Sequence, residues 1–98
     1  MAGSQAGRTL YVVAYDISND RRRTKVHKTL CGFGQWTQFS VFECFVNAKE
    51  LVLLHERLRK QIRADEDSVR FYPLCQTCCG KVETVGGPKP DYPMTVIV

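Results

Sequence analysis

The sequence predicts an α+β fold: a ferredoxin-like βαββαβ sandwich with an extra C-terminal strand, assembled as a homodimer. Three observations lead there. Apolar runs rich in β-branched and aromatic residues alternate with two stretches of helical periodicity. The chain has 98 residues, enough for one domain with a modest core. The first two strand candidates are apolar on both faces, although helices on one side of an antiparallel sheet cover only one face. A second copy related by a two-fold axis is the simplest cover for the other.

The elements follow in order. Residues 1–8 are small and polar apart from Arg8, and read as a disordered leader. Residues 9–85 form the domain, and 86–98 a connector with a strand exchanged with the partner. The first strand covers 9–17, an apolar run that reaches one acid, Asp16. Period-two alternation places Asp16 with Leu10, Val12 and Ala14 on an expected core face. There an ionised carboxylate must be paired, hydrogen-bonded or metal-bound. Ser18, Asn19 and Asp20 are capping residues for a helix from about Arg21 to Cys31. Its inner stripe is Val26, Leu30 and Phe33, and Gly32 and Gly34 stop it. Trp36 to Val46 reads as one long second strand. Asn47 caps a second helix, about Ala48 to Arg63, with Leu51, Leu54, Leu58 and Ile62 inside and His55 packed near that stripe. Ser68 to Leu74 is a third strand, with Pro73 near its end. Lys81 to Val85 reads as a short fourth strand completing the sheet. Gly86 to Pro90 is a stiff connector, and Thr95 to Val98 a terminal β segment.

Composition narrows the class. Hydrophobic residues are 44% and charged residues 24%, an ordinary globular balance. No apolar run approaches the ~20 residues that span a bilayer, and no apolar segment of signal-peptide type opens the chain. Five cysteines, an odd number, suit reduced thiols in a cytoplasm rather than a disulfide framework. The net charge of +4 is compatible with a polyanion but says little alone. Its clustering says more: Arg21, Arg22, Arg23, Lys25 and Lys28 crowd one helix start.

Two constellations could carry chemistry. Asp16 at a strand tip, followed by arginines at a helix N-terminus, suggests a metal-and-phosphate site, since such N-termini attract phosphate and arginine grips it in bidentate fashion. Equally, Asp16 could cap the next helix or receive an arginine, and the basic run could be a solvated face. Magnesium or manganese wants several oxygen ligands. Two copies of Asp16 meeting on a two-fold axis would make a plausible site for phosphodiester hydrolysis. Cys75 and Cys78 form a C-x-x-C, followed by Cys79. That is half a tetrahedral zinc site, and the strand formers after Gly80 argue against the helix a redox dithiol opens. Packed thiols are the simplest reading.

Several stretches together resemble the small CRISPR-associated endonuclease family, the second of the two core adaptation proteins. They are Tyr11 to Arg23 with Asp16 and Ile17, then Lys25, Val26, Lys28, Leu30 and Gly34, then Gln38 to Glu43. The resemblance covers roughly residues 9–98. It implies a ferredoxin-like homodimer in which each C-terminal strand joins the partner's sheet. It also implies a Mg2+- or Mn2+-dependent endonuclease acting on RNA or double-stranded DNA, and a scaffold role beside an integrase that inserts spacers into a CRISPR array for antiviral defence. The family's metal-binding acid falls on Asp16, its tyrosine on Tyr15, its basic helix position on Arg23 and its strand phenylalanine on Phe42. Trp36 stands near the place of an arginine found in some members.

Three readings therefore compete: a nuclease working through Asp16, a non-catalytic DNA-binding scaffold in which Asp16 is dispensable, and an unrelated RNA-binding module. The last would present aromatic side chains on an open sheet face.

Overall fold

A computed structural model describes residues 7–87 of the chain. The terminal strand expected at 95–98, and its exchange with a partner, lie outside the described residues.

Seven elements follow one another: β1 (Thr9–Asp16), α1 (Asp20–Cys31), β2 (Gln35–Gln38), β3 (Val41–Val46), α2 (Ala48–Gln61), β4 (Ser68–Leu74) and the short α3 (Gln76–Cys79). The sheet order is β2-β3-β1-β4, antiparallel throughout. This is the βαββαβ arrangement, with the strand from the start of the chain at the centre of the sheet.

The expected long strand over 36–46 is two strands. Phe39 adopts φ 45°, a left-handed conformation rare for a bulky side chain, and reverses the chain into a hairpin. The register slips between Trp36 and Gln38, as a bulge beside such a turn does. Alternation continues through both halves, so an apolar pattern alone cannot mark the reversal. Splitting this strand supplies the second β of βαββαβ without the segment 81–85. That segment is not a strand: the Lys81 and Val82 amides close turns on the carbonyls of Cys78 and Cys79, leaving them unavailable to a ladder. The helix argued against after Cys75 is present as the single turn α3, capped by Cys75.

Alternation on β1 sorts the core. Val13 and Tyr15 face the helices, with Phe42, Cys44 and Val46 of β3 beside them and Leu54, Leu58, Val26 and Leu30 packed above. The acid is therefore not in line with the main core face. Leu10, Val12, Ala14 and Asp16 point to the other side, which no long helix among the described residues covers. At one end that side closes over, where Cys79 of α3 buries against Leu10 with Phe45 and Leu74 around them. Both helices are locally specified. Asn19 caps α1 by accepting from the Arg22 amide. Asn47 and Glu50 form a reciprocal capping box on α2. Arg8, expected in a disordered leader, donates to the Phe45 carbonyl and to Glu50 at 2.6 Å, which ties the start of β1 to the start of α2.

Gly34 is demanded by close approach. A Cβ there would lie 2.8 Å from Cys44 Cα and closer still to the Glu43 carbonyl and the Cys44 sulfur. Only glycine lets the chain leave α1 and cross against β3.

Candidate functional site

Asp16 ends β1, exposed, in register with Ser68 of β4. The expectation that it needs a partner inside the core fails, because its side chain reaches water. One residue on, Ile17 is back in the core. A rigid strand end thus holds a solvated carboxylate at the margin of the sheet's helix-free face. Among the described residues, no group of three or more His, Cys, Asp or Glu side chains could hold a metal ion. One chain's donor set does not by itself suit magnesium or manganese, which favour an octahedral shell of oxygens with usually one or two carboxylates among them. Asp16 fits such an ion only if a second copy, water or substrate phosphates complete the shell.

Helix α1 divides the basic cluster into three stripes by its ~100° step per residue. Arg21, Lys25 and Lys28 face outward and exposed. Arg22 turns toward α2 and is held there: its Nε donates to Asp67 at 2.7 Å, and Nη2 reaches Asp67 and Glu66. Asp67 is buried, and Arg22 holds its carboxyl below the usual carboxylate value, with the Arg63 amide adding a second donor. Arg22 is thus a structural anchor, its guanidinium engaged by two carboxylates. Arg23 lies on the third stripe. Its Nη1 donates to the carbonyls of Ile17 and Ser18, and Nη2 pairs with Asp20. The N-terminus of α1 is itself occupied, by the Asn19 cap and the Asp20 acid, so it offers phosphate less than expected.

The residues matched to Tyr15, Arg23 and Phe42 do not share a face with Asp16. Tyr15 is buried toward the helices, 3.1 Å from His27 Nδ1, and burial pushes its hydroxyl above the usual tyrosine value, so it stays neutral. Phe42 is fully buried, its ring 5.0 Å from the His27 ring and 6.3 Å from that of Tyr15. With no exposure it can touch no substrate, so its part is packing beneath the site rather than chemistry. Tyr15, Arg23, Thr24, His27, Phe39 and Ser40 together line an open cavity of about 440 Å³. His27, Phe39 and Ser40 were not singled out from the sequence. The i,i+4 spacing from Arg23 could have suggested His27, whereas Phe39 and Ser40 enter only through the hairpin.

The cysteines are free. Cys75 caps α3, accepting from the Cys78 amide at 3.4 Å, and this bond holds its thiol below the usual value. Burial pushes Cys44 up to about 11. His55, expected as a packed side chain, stacks edge-on to Phe71 at 4.4 Å.

Comparison with known proteins adds a relationship. A family model, CRISPR associated protein Cas2, matches residues 9–82. "CRISPR-associated endoribonuclease Cas2 1" of Synechocystis sp. is 38% identical over 93 residues, covering 91% of this chain and 99% of the relative. "CRISPR-associated endonuclease Cas2 2" of Thermus thermophilus is 41% identical over 86 residues, covering 87% and 91%. Among solved structures, a hypothetical protein of Thermus thermophilus matches with TM-score 0.78 and 41% identity, covering 87% of this chain and 100% of that one. Streptococcus pyogenes Cas2 matches with TM-score 0.70 and 36% identity, covering 79% and 99%.

Proposed function

Because the chain belongs to the CRISPR associated protein Cas2 family, we propose that it is a CRISPR-associated endonuclease, a phosphodiesterase acting on RNA or double-stranded DNA during spacer acquisition. The observation that carries this reading is Asp16: an exposed carboxylate on a rigid strand end, one short turn before a helix with three outward cations. Its relatives carry endoribonuclease and endonuclease in their names.

In this reading Asp16 supplies a carboxylate to a divalent ion, with a second copy of Asp16 facing it across a two-fold axis. Bound Mg2+ or Mn2+ would supply a water of lowered pKa and neutralise charge on the phosphate. Arg21, Lys25 and Lys28 hold the polyanion by charge. Arg22 keeps α1 against the loop before β4. Tyr15 and Phe42 keep the end of β1 in place from beneath. The helix-free face supports a homodimer in this reading, because Val12, Ala14, Val41 and Tyr72 adjoin in register across three strands. Pairing that face with its copy would cover it and bring the two acids together.

A second reading has its own support. Since no described group of three ligands exists within one chain, the dimer could act as a scaffold that grips DNA for an integrase partner without cutting it. Cleavage assays on RNA and duplex DNA, with and without magnesium, separate the two. Asp16→Asn, nearly isosteric, should lower metal-dependent cleavage at least about a hundredfold, the loss expected when a metal site worth several kcal/mol is removed. Unchanged cleavage by the variant removes Asp16 from the mechanism, and absence of cleavage by the wild type favours the scaffold.

A further inference from the structure

The nuclease reading makes no use of Cys75, Cys78 and Cys79, which gather around the turn α3. The fold treats the three differently. Cys79 is buried against Leu10, and its thiol donates to the Leu74 carbonyl. Burial pushes that thiol above its usual value, so it stays protonated. Cys75 and Cys78 are both exposed, and the expectation of packed thiols fails for them. Cys75 takes extended backbone, φ −68° and ψ 166°, and the chain then winds through one turn. That turn brings Cys78 back beside Cys75. The Cys75 sulfur accepts from the Cys78 amide at 3.4 Å and from the Thr77 amide, and the Cys78 thiol donates to it as well. The two sulfurs are therefore within reach of each other, and both residues meet water.

These contacts give the two thiols different parts. Donors aimed at one sulfur favour its anion, and the Cys78 amide holds the Cys75 thiol below its usual value. The anion is the form that attacks a disulfide. Cys78, donating to that sulfur, is pushed the other way and keeps its proton, as suits a resolving thiol. Cys44 and Cys79 are closed to this chemistry by burial, and Cys31 lies apart on α1. We propose that Cys75 and Cys78 form a reversible dithiol–disulfide site whose co-substrate is a small disulfide of the glutathione type. The Cys75 thiolate, its proton already in solvent, attacks one sulfur of that disulfide and expels the other half as a thiolate. The expelled thiolate takes the Cys78 proton. Cys78 then attacks the Cys75 sulfur and expels the second half, which takes its proton from solvent. The pair loses two protons and two electrons, and one small disulfide becomes two thiols. The site lies at the far end of the sheet from Asp16. Leu10 pairs with Leu74, next to Cys75, whereas Asp16 pairs with Ser68. That length of strand spans about 20 Å, so the inference does not lean on the nuclease reading. What the pair does adjoin is the closed end of the helix-free face, where the same turn seats Cys79.

The full-length protein is equilibrated with mixtures of reduced and oxidised glutathione, quenched with acid, unfolded, alkylated and cut with trypsin. Cleavage after Arg70 and after Lys81 isolates one peptide that holds all three cysteines of the turn. From oxidised protein this peptide should carry a single label, on Cys79, and mass spectrometry should find a bridge between Cys75 and Cys78. Dithiothreitol should restore three labels. Cys75→Ser should abolish the bridge and capture little glutathione. Cys78→Ser should instead accumulate glutathione on Cys75, because no neighbour resolves the mixed disulfide. A purely structural pair would show neither the bridge nor this asymmetry. Three free thiols in every glutathione mixture, a bridge to Cys79 or Cys31, a disulfide between copies on a non-reducing gel, or equal capture by the two variants overturns the inference. So does zinc retained by the freshly purified reduced protein, with Cys75 and Cys78 shielded from alkylation until a chelator is added. The pair would then be half of a metal site completed by another copy. The measurement needs no nucleic acid and no cleavage, so its outcome and that of the cleavage assays are independent.

Discussion

Leu10, Val12, Ala14 and Asp16 point to one side of β1, and Tyr11, Val13 and Tyr15 to the other. These neighbours in sequence live in different physical worlds. Val13 and Tyr15 are buried under two helices with Phe42 and Leu54. Across the strand, Val12 and Ala14 remain half-buried, and Asp16 is exposed. The covered face explains why the chain folds as it does. The uncovered face carries more apolar surface than a solvated sheet needs, and it carries the acid. In the nuclease reading proposed above, stability and function are separated by the thickness of one strand, and substitutions on the two faces should separate in their effects.

The largest expected effect lies on the covered face. Phe42→Ala should cost about 4 kcal/mol of unfolding free energy, as removal of a fully buried phenylalanine does. Denaturant titration measures it, and any loss of cleavage should track the fraction unfolded. A well-folded Phe42→Ala protein with no activity would instead give Phe42 a part in the chemistry and break the division. Asp16→Asn sharpens it from the other side: the hundredfold loss of cleavage should come with no loss of stability. Should two acids face each other in a metal-free dimer, the variant should be slightly more stable, through relief of like-charge repulsion.

Val12→Lys tests what the open face is for. In one chain the lysine can reach water from a half-buried site, so folding should persist. Pairing two copies through this face would enclose two ammonium groups, and dimer dissociation should rise at least about tenfold, since an unpaired buried charge is costly. Light scattering after size exclusion reads this. An unaltered dimer would place the contact between copies elsewhere.

The smallest effect concerns neither face but the anchor between α1 and the loop before β4. Arg22 lowers the Asp67 pKa in the folded state. A depressed folded pKa means that the unfolded chain binds the proton more readily. The stability Asp67 adds is therefore fully present above the unfolded value of about 3.9 and is lost as pH falls through the lower folded value. Asp67→Asn should lower the melting temperature at neutral pH by about 5 °C. It should also flatten the fall in stability below about pH 4. A melting curve unchanged at both pH values would show the Arg22–Asp67 pair to be incidental.

Much of this was legible in the residues. The strands at 9–17 and 68–74, both long helices and their Asn19 and Asn47 caps follow from periodicity and local hydrogen bonding, which act over a few residues and leave a local trace. The apolar excess on both strand faces called for a covering partner, and the resemblance carried by Tyr11–Arg23 and Gln38–Glu43 pointed to the family. What needed the tertiary structure is whatever depends on which face meets what. Alternation says that Asp16 and Tyr15 point apart, but not which of them the helices cover. A run of arginines does not say that Arg22 will find Asp67, 45 residues away. Nor does an unbroken alternating pattern from Trp36 to Val46 reveal a reversal at Phe39, because the residues on either side keep the spacing of a strand. Those outcomes rest on contacts between segments distant in the chain, whose free energies outweigh local preference, and so only the packed molecule decides them.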